Sequence, residues 1–146
     1  MLTFLANIQI PFHLATVDIY GPQYTDCVLA ASTKLIEKDP KSVKALIKAM
    51  LKAQLLFETE RETMLTELVG TYYKTSIENA RIGAKAQPAK VDQRAQEEFI
   101  LNRVESVMAM GYIKKKPGRD AIDWSFLEQA IAEVPDVYSK LKYKSA

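Results

Sequence analysis

The sequence is poor in the residues on which many enzyme and metal sites depend. Its 146 residues include one cysteine, Cys27, and one histidine, His13. A single cysteine cannot close an internal disulfide, and these two residues cannot complete a metal site by themselves. Because no Asn or Asp is placed to orient His13, the sequence shows no nucleophilic triad. We therefore expect a protein that is not an enzyme and that holds neither a metal nor a cofactor.

Glycine clusters and long apolar runs are also missing. The glycines stand at positions 21, 70, 83, 111 and 118, which is too scattered for a phosphate-binding loop. The first 17 residues carry no formal charge, but polar residues and Pro11 interrupt them. No stretch reaches the roughly 20 apolar residues that a membrane helix needs. We expect neither a signal peptide nor a membrane anchor in this chain.

Charge of one sign is not in excess either. Twenty Lys and Arg face eighteen Asp and Glu, which leaves a net charge of +2. Nucleic-acid binding needs a concentrated basic surface, so we expect no nucleic-acid partner. Apolar residues make up 48% of the chain, and charged residues make up 26%. This balance is typical of a soluble globular chain, and we expect one domain over residues 1–146.

Two segments near the start of the chain favour β-structure. Apolar residues alternate with others from Phe4 to Ile10, which predicts a half-buried strand that Pro11 ends. The run from Cys27 to Ala31 is continuously apolar, which predicts a strand covered on both faces at the centre of a sheet. Cys27 is accordingly expected in the core.

After Ala31 the pattern becomes helical. Ser32 is expected to cap a short helix that reaches Lys38, and Asp39 with Pro40 signals the start of a long one. The inward stripe of this long helix is expected to contain Val43, Leu46, Ile47, Met50, Leu51 and Leu55.

Further helices are predicted along the rest of the chain. Thr59 and Glu62 read as a capping box for the next helix. Later helices are expected from Ser76 to Pro88, from Asp92 to Gly111 and from Asp123 to Pro135. The predicted fold class is therefore α/β and helix-rich, with few strands and five or six helices. Because two strands make a poor sheet, either further strands are hidden or the chain lacks their partners.

Lys44, Lys48 and Lys52 form a ladder on one face of the long helix. Like charges at this spacing repel each other weakly. One interpretation is a solvated face near the glutamates of the following helix. The other is a surface for an acidic partner.

Aromatic residues suggest a second candidate site. They are Tyr20, Tyr24, Tyr72, Tyr73 and Trp124. Tyr72 and Tyr73 continue a helical stripe and are expected in the core. Tyr20 and Tyr24 flank a Gly–Pro turn together with Asp18, Thr25 and Asp26, and these five residues are candidate ligand contacts. Chance clustering is the alternative.

Two stretches carry a resemblance to a known family. They are YTDCVLAASTKLIEKDPKSVKAL, from Tyr24 to Leu46, and IDWSFLEQA, from Ile122 to Ala130. Both resemble the periplasmic solute-binding proteins of ABC importers, in the group for nitrate, sulfonate, taurine and thiamine precursors. The resemblance covers about residues 16 to 135.

The resemblance implies a partial periplasmic-binding-protein type II fold, part of a two-lobed α/β clamshell. The chain has less than half the usual length and is similar only to the C-terminal part. It implies a non-catalytic solute-binding component, or a fragment of one, for a small organic anion or a thiamine-like precursor. The implied partners are the solute and an ABC permease. The parent family is periplasmic or lipid-anchored, whereas this chain shows no export signal.

A small helical interaction or oligomerisation domain without a ligand is the alternative. Unpaired strand edges are templates for pairing with another chain. Under either hypothesis we expect that a homodimer or a swapped assembly could form through exposed strand edges.

Overall fold

A computed structural model describes Ile19, Gly21, Tyr24, Thr25 and residues 27–145. Within this part of the chain there are seven α-helices, which are α1 (Thr33–Lys38), α2 (Pro40–Thr59), α3 (Arg61–Leu68), α4 (Ile77–Ala86), α5 (Glu97–Ala109), α6 (Ser125–Glu133) and α7 (Pro135–Lys140). Two short 3-10 helices, Arg94–Gln96 and Arg119–Ala121, lie in the loops before and after α5.

The expected α/β class is wrong for this structure. The described residues contain no β-strand, and their one β-type contact is an isolated bridge between Val69 and Tyr73. A partial periplasmic-binding-protein type II fold needs a sheet, so that expectation is corrected to a helical fold. The predicted strand at Phe4–Ile10 lies outside the described residues.

The predicted central strand from Cys27 to Ala31 is also wrong. These residues are irregular and exposed, with Val28 at 60% and Leu29 at 46% exposure, and the Cys27 thiol is exposed as well. A short apolar run forms a strand only where neighbouring strands accept its hydrogen bonds. Here the side chain of Gln93 provides one such bond, because its Nε2 donates to the Cys27 carbonyl at 2.9 Å.

Three helix starts are confirmed. The hydroxyl of Ser32 accepts a hydrogen bond from the Leu35 amide at 3.2 Å, and the carboxylate of Asp39 accepts one from the Ser42 amide at 3.1 Å. Ser76 caps α4 in the same way. These side chains satisfy amide groups that have no partner inside the helix, which explains why local sequence located these ends.

The predicted capping box at Thr59 is wrong. The Thr59 hydroxyl instead donates to the Leu55 carbonyl at 2.9 Å, so that α2 continues to Thr59. The next helix ends at Leu68, and Gly70 then adopts a φ of +83° that favours glycine. Tyr72 and Tyr73 consequently lie beyond the helix at 76% and 58% exposure, and their expected place in the core is wrong.

The core lies where α2 packs against α6 and α7. Its buried members are Val43, Ile47, Leu51, Leu127, Ala130 and Leu141. Leu51 is completely buried and stands near the middle of α2. Pro135, expected only to end a helix, also occupies the first turn of α7, where its missing amide hydrogen costs nothing. By contrast, α4 and α5 contain no buried residue.

Candidate interaction surface

The five sequence-predicted ligand contacts are only partly described. Asp18, Tyr20 and Asp26 lie outside the described residues. The Tyr24 ring meets the Phe99 ring edge-on, with centroids 5.8 Å apart. The Thr25 hydroxyl donates to the Gln93 side-chain oxygen at 2.5 Å. Tyr24 and Thr25 are thus each engaged by a neighbour within the chain.

A buried carboxylate, which the sequence pattern did not single out as a site, organises the C-terminal end of the chain. Asp92 is fully buried and accepts two hydrogen bonds from the Arg94 guanidinium, at 3.1 and 2.9 Å. The Tyr138 hydroxyl donates to the same carboxylate at 2.5 Å, and the Ser145 amide does so at 3.3 Å. The carboxylate therefore joins the loop before α5, helix α7 and the C-terminal tail.

These contacts fix the protonation state of Asp92. Burial by itself raises the pKa of the Asp92 carboxyl, but the hydrogen bonds from Arg94, Tyr138 and Ser145 outweigh burial and hold it well below its usual range. Burial and the Asp92 carboxylate also raise the pKa of Tyr138. A carboxylate that stays ionised with its bonding capacity filled is suited to a structural role, because a general acid or base needs a pKa near the working pH.

A buried amide on α2 holds the same tail. The Gln54 side-chain nitrogen donates to Glu58 and to the Tyr143 carbonyl, both at 2.7 Å, and its oxygen accepts from the Val91 amide at 2.8 Å. The Glu58 carboxylate accepts from the Lys142 amide at 2.6 Å. The described tail after α7 belongs to no helix or strand. Its backbone groups are instead hydrogen-bonded by the side chains of Gln54 and Glu58 on α2.

Two lysines of the ladder share one carboxylate within the chain. Lys44 and Lys48 lie 2.6 and 2.5 Å from the two carboxylate oxygens of Glu133 in α6. Hydrogen bonds from Lys44 and Lys48 lower the pKa of Glu133 to about 2. The glutamate comes from α6 and not from the helix that follows α2. The single Glu133 carboxylate offsets one of the three ladder charges, so Lys52 and part of the charge of Lys44 and Lys48 remain on this surface.

Two surface cavities among the described residues are open to solvent. One, of about 130 Å³, lies between the start of α2 and α6 and is lined by Pro40, Lys41, Lys44, Phe126 and Gln129. The other, of about 340 Å³, runs beside α5, and its cations Lys116 and Arg119 already pair with Glu105 and Glu97. Ligand pockets are typically enclosed, mostly apolar and between about 300 and 1,000 Å³.

An unusual surface feature lies on α2. Its charged residues are Lys41, Lys44, Lys48, Lys52 and Glu58. At 100° per residue, all of them fall within about a third of the helix circumference. The opposite side carries no charge between Pro40 and Thr59, although part of it faces solvent.

We call this uncharged surface the leucine–alanine face, and define it by Leu46, Ala49, Ala53 and Leu56. All four residues are exposed, with Leu46 at 49% and Leu56 at 43%. Their spacing of three, four and three residues is that of a helix–helix seam. The expectation that Leu46 points into the core is therefore wrong, because Val43, Ile47 and Leu51 already fill that side.

Other exposed apolar side chains are arranged differently. Tyr72 and Tyr73 lie on the turn after α3, while Met110 and Tyr112 lie on the turn after α5. Single exposed apolar residues are normal on protein surfaces. A line of four along one helix is a better match to a binding surface, because the helix holds them in a fixed register.

No group of three or more His, Cys, Asp or Glu side chains in residues 27–145 or the few described before them is placed to hold a metal ion. None of the described helices is long and apolar enough to cross a bilayer. Comparisons with protein-family models, curated proteins and solved structures gave no match. The resemblance to solute-binding proteins thus depends on the sequence pattern alone.

Proposed function

We propose that this chain is a non-catalytic helical interaction domain that binds a helix of a protein partner through the leucine–alanine face of α2. The observation that carries the proposal is the solvent exposure of Leu46 and Leu56 on an uncharged side of the longest described helix. Covering such a stripe removes apolar area from water, at roughly 25 cal/mol per Å².

The position of the face supports this function. The other side of α2 is fixed by Val43, Ile47 and Leu51 against α6 and α7, so the exposed side is presented on a rigid support. Binding surfaces on packed helices lose little conformational entropy when a partner arrives. A partner helix with its own apolar stripe is the ligand that fits a seam of this spacing.

The solute-binding function implied by the resemblance stays a prediction. It depended on a cleft between two α/β lobes, and the described residues contain no sheet from which to build one. An interaction domain needs only the helical fold that is present.

Site-specific photo-crosslinking in cells tests the proposal. A benzoylphenylalanine is placed at Leu46 or Leu56, and the matched control carries it at Ile82, an exposed apolar residue of α4 outside the face. We expect an adduct of defined mass from positions 46 and 56 but not from 82, and its loss when Ala49→Glu is added. Equal adducts from all three positions, or none, would contradict the proposed function.

A further inference from the structure

We infer that the helix bound by the leucine–alanine face is α2 of a second copy of this chain, packed antiparallel about a two-fold axis level with Leu51. The inference depends on the proposed function and names its partner. It is carried by the order of the exposed residues on α2 and by the charges at the two ends of this helix.

The spacing of the exposed residues on α2 is the same whether it is read from the N-terminal or the C-terminal end of the helix. Ser42, Leu46, Ala49, Ala53, Leu56 and Glu60 are all exposed and follow one another at intervals of four, three, four, three and four. In a two-fold interface, if residue i contacts residue j of the partner, then j also contacts i. Centring the antiparallel pair on Leu51 places Leu46 opposite the second copy's Leu56, and Ala49 opposite its Ala53.

The residue sizes agree with this register. The alanines at the centre let two helix backbones approach closely, as small residues do at helix crossings. The leucines at both ends are then placed to cover the crossing on each side. Leu46 and Leu56 are ten residues apart, about 15 Å along the helix at 1.5 Å per residue.

The charges favour the antiparallel arrangement. Glu60 follows the last residue of α2, and in the antiparallel register it lies beside Ser42 and near Lys41 at the start of the second copy's α2. The Asp39 carboxylate already caps that N-terminus by accepting from the Ser42 amide, so the favourable contact of Glu60 is the one with Lys41. A parallel pair would instead place the two Glu60 carboxylates together at one end and the two Lys41 ammonium groups together at the other.

Two of the remaining lysines lie away from the approach, and one lies beside it. Lys44 and Lys48 are paired with Glu133 of their own copy. Lys52 is exposed and lies about 40° around the helix from Leu56, at the edge of the leucine–alanine face, where its charge weakens the contact. One helix pair buries less than the roughly 1,200 Å² of a stable interface, so we expect weak association that depends on concentration.

Sedimentation velocity of the full chain between about 5 µM and 1 mM tests the dimer, since these concentrations span the range of weak association. The mean mass is expected to rise from 16.5 kDa towards twice this value. Leu46→Glu and Leu56→Glu should each keep the chain monomeric. Ile82→Glu, which changes an exposed apolar residue outside the face, should leave association unchanged. Circular dichroism checks that each variant is folded.

A second experiment tests the register. In a Cys27→Ser background, Leu46→Cys and Leu56→Cys chains should form a disulfide with each other faster than either chain does with itself. Glu60→Lys should weaken association about two- to fivefold, and adding Lys41→Glu to the same chain should restore it. The control Glu67→Lys, with the same charge change on α3, should have no effect. Faster self-crosslinking of each cysteine variant would overturn the antiparallel arrangement.

The two proposals can fail separately. A chain that stays monomeric at all concentrations, but is photo-crosslinked from positions 46 and 56 to a different protein, would overturn the second copy as the partner and leave the proposed function standing. A monomer that gives no adduct would overturn both.

Discussion

The hydroxyl of Tyr138 donates a hydrogen bond to the buried carboxylate of Asp92 at 2.5 Å. This bond connects α7 to the loop before α5, two segments that are 46 residues apart in the chain. The Arg94 guanidinium donates to the same carboxylate oxygen at 2.9 Å and also donates to the Tyr138 hydroxyl at 3.2 Å. The three side chains thus form a closed polar cluster at the edge of the core.

Replacing Asp92 should destabilise the fold strongly. Asp92→Asn removes the charge that Arg94 and Tyr138 face, and its amide must present a donor where the site supplies donors. Breaking a fully buried ion pair from one side costs about 3 to 5 kcal/mol, and we expect the lower end here because the remaining Arg94 side chain is 34% exposed. Urea unfolding followed by circular dichroism should show this loss in the free energy of unfolding. Tyr138→Phe, which removes one bond to a charged group, should cost less, about 1.5 to 3 kcal/mol.

The same carboxylate should make stability depend on acid. The pKa of Asp92 in the folded chain lies below the ordinary 3.8 that it has in the unfolded chain. At a pH between the folded and the unfolded pKa, the unfolded chain therefore binds more protons than the folded chain. The contribution of Asp92 is therefore complete above its unfolded pKa and is lost as the pH falls towards its folded pKa. Urea unfolding at a series of pH values from 6 to about 2 should show this decline. The decline should be shallower in Asp92→Asn, and an equal slope in both proteins would contradict the prediction.

The titration of Glu133 offers a separate electrostatic measurement. Carbon-detected NMR of its side chain should give a midpoint of about 2, because hydrogen bonds from Lys44 and Lys48 stabilise the carboxylate. The Lys44→Met and Lys48→Met double variant should raise the midpoint towards the ordinary 4.5. Lys52→Met is the matched control, since this lysine belongs to the same ladder but forms none of the ion pairs with Glu133 among the described residues. An unchanged midpoint in the double variant would show that the pairing does not persist in solution.

The sequence predicted the parts of the fold that depend on neighbouring residues. Ser32, Asp39 and Ser76 were identifiable as helix caps because each bonds to an amide three residues away. The prediction of a strand at Cys27–Ala31 was wrong because an apolar run becomes a strand only if backbone groups far away in the sequence hydrogen-bond to it. The local sequence pattern contains no information about such partners. Tyr72 and Tyr73 were misplaced because a helical spacing continues in the sequence after the helix has ended at Leu68.

The candidate surface was missed for a related reason. Apolar residues recur at helical spacing both on the buried side of α2 and on the leucine–alanine face. Spacing alone therefore assigned Leu46 to the same inward stripe as Ile47. The signal that distinguishes them is the confinement of all charge to one third of the helix, which leaves more apolar circumference than one packed face requires. Gln54 and Asp92 gave no such signal, since their partners Tyr143 and Tyr138 lie 89 and 46 residues away.

Truncating two leucines of α2 should separate the buried side from the exposed side. Leu51 of α2 is completely buried in the core that α2 forms with α6 and α7. Leu51→Ala therefore leaves a cavity and should lower the free energy of unfolding by about 3 kcal/mol. Leu46 is 49% exposed, and Leu46→Ala should change the stability of the dilute monomer by no more than about 0.5 kcal/mol. Urea unfolding at low protein concentration measures both values. A comparable loss from both variants would mean that Leu46 is packed inside the monomer, in which case the leucine–alanine face would not be available to a partner.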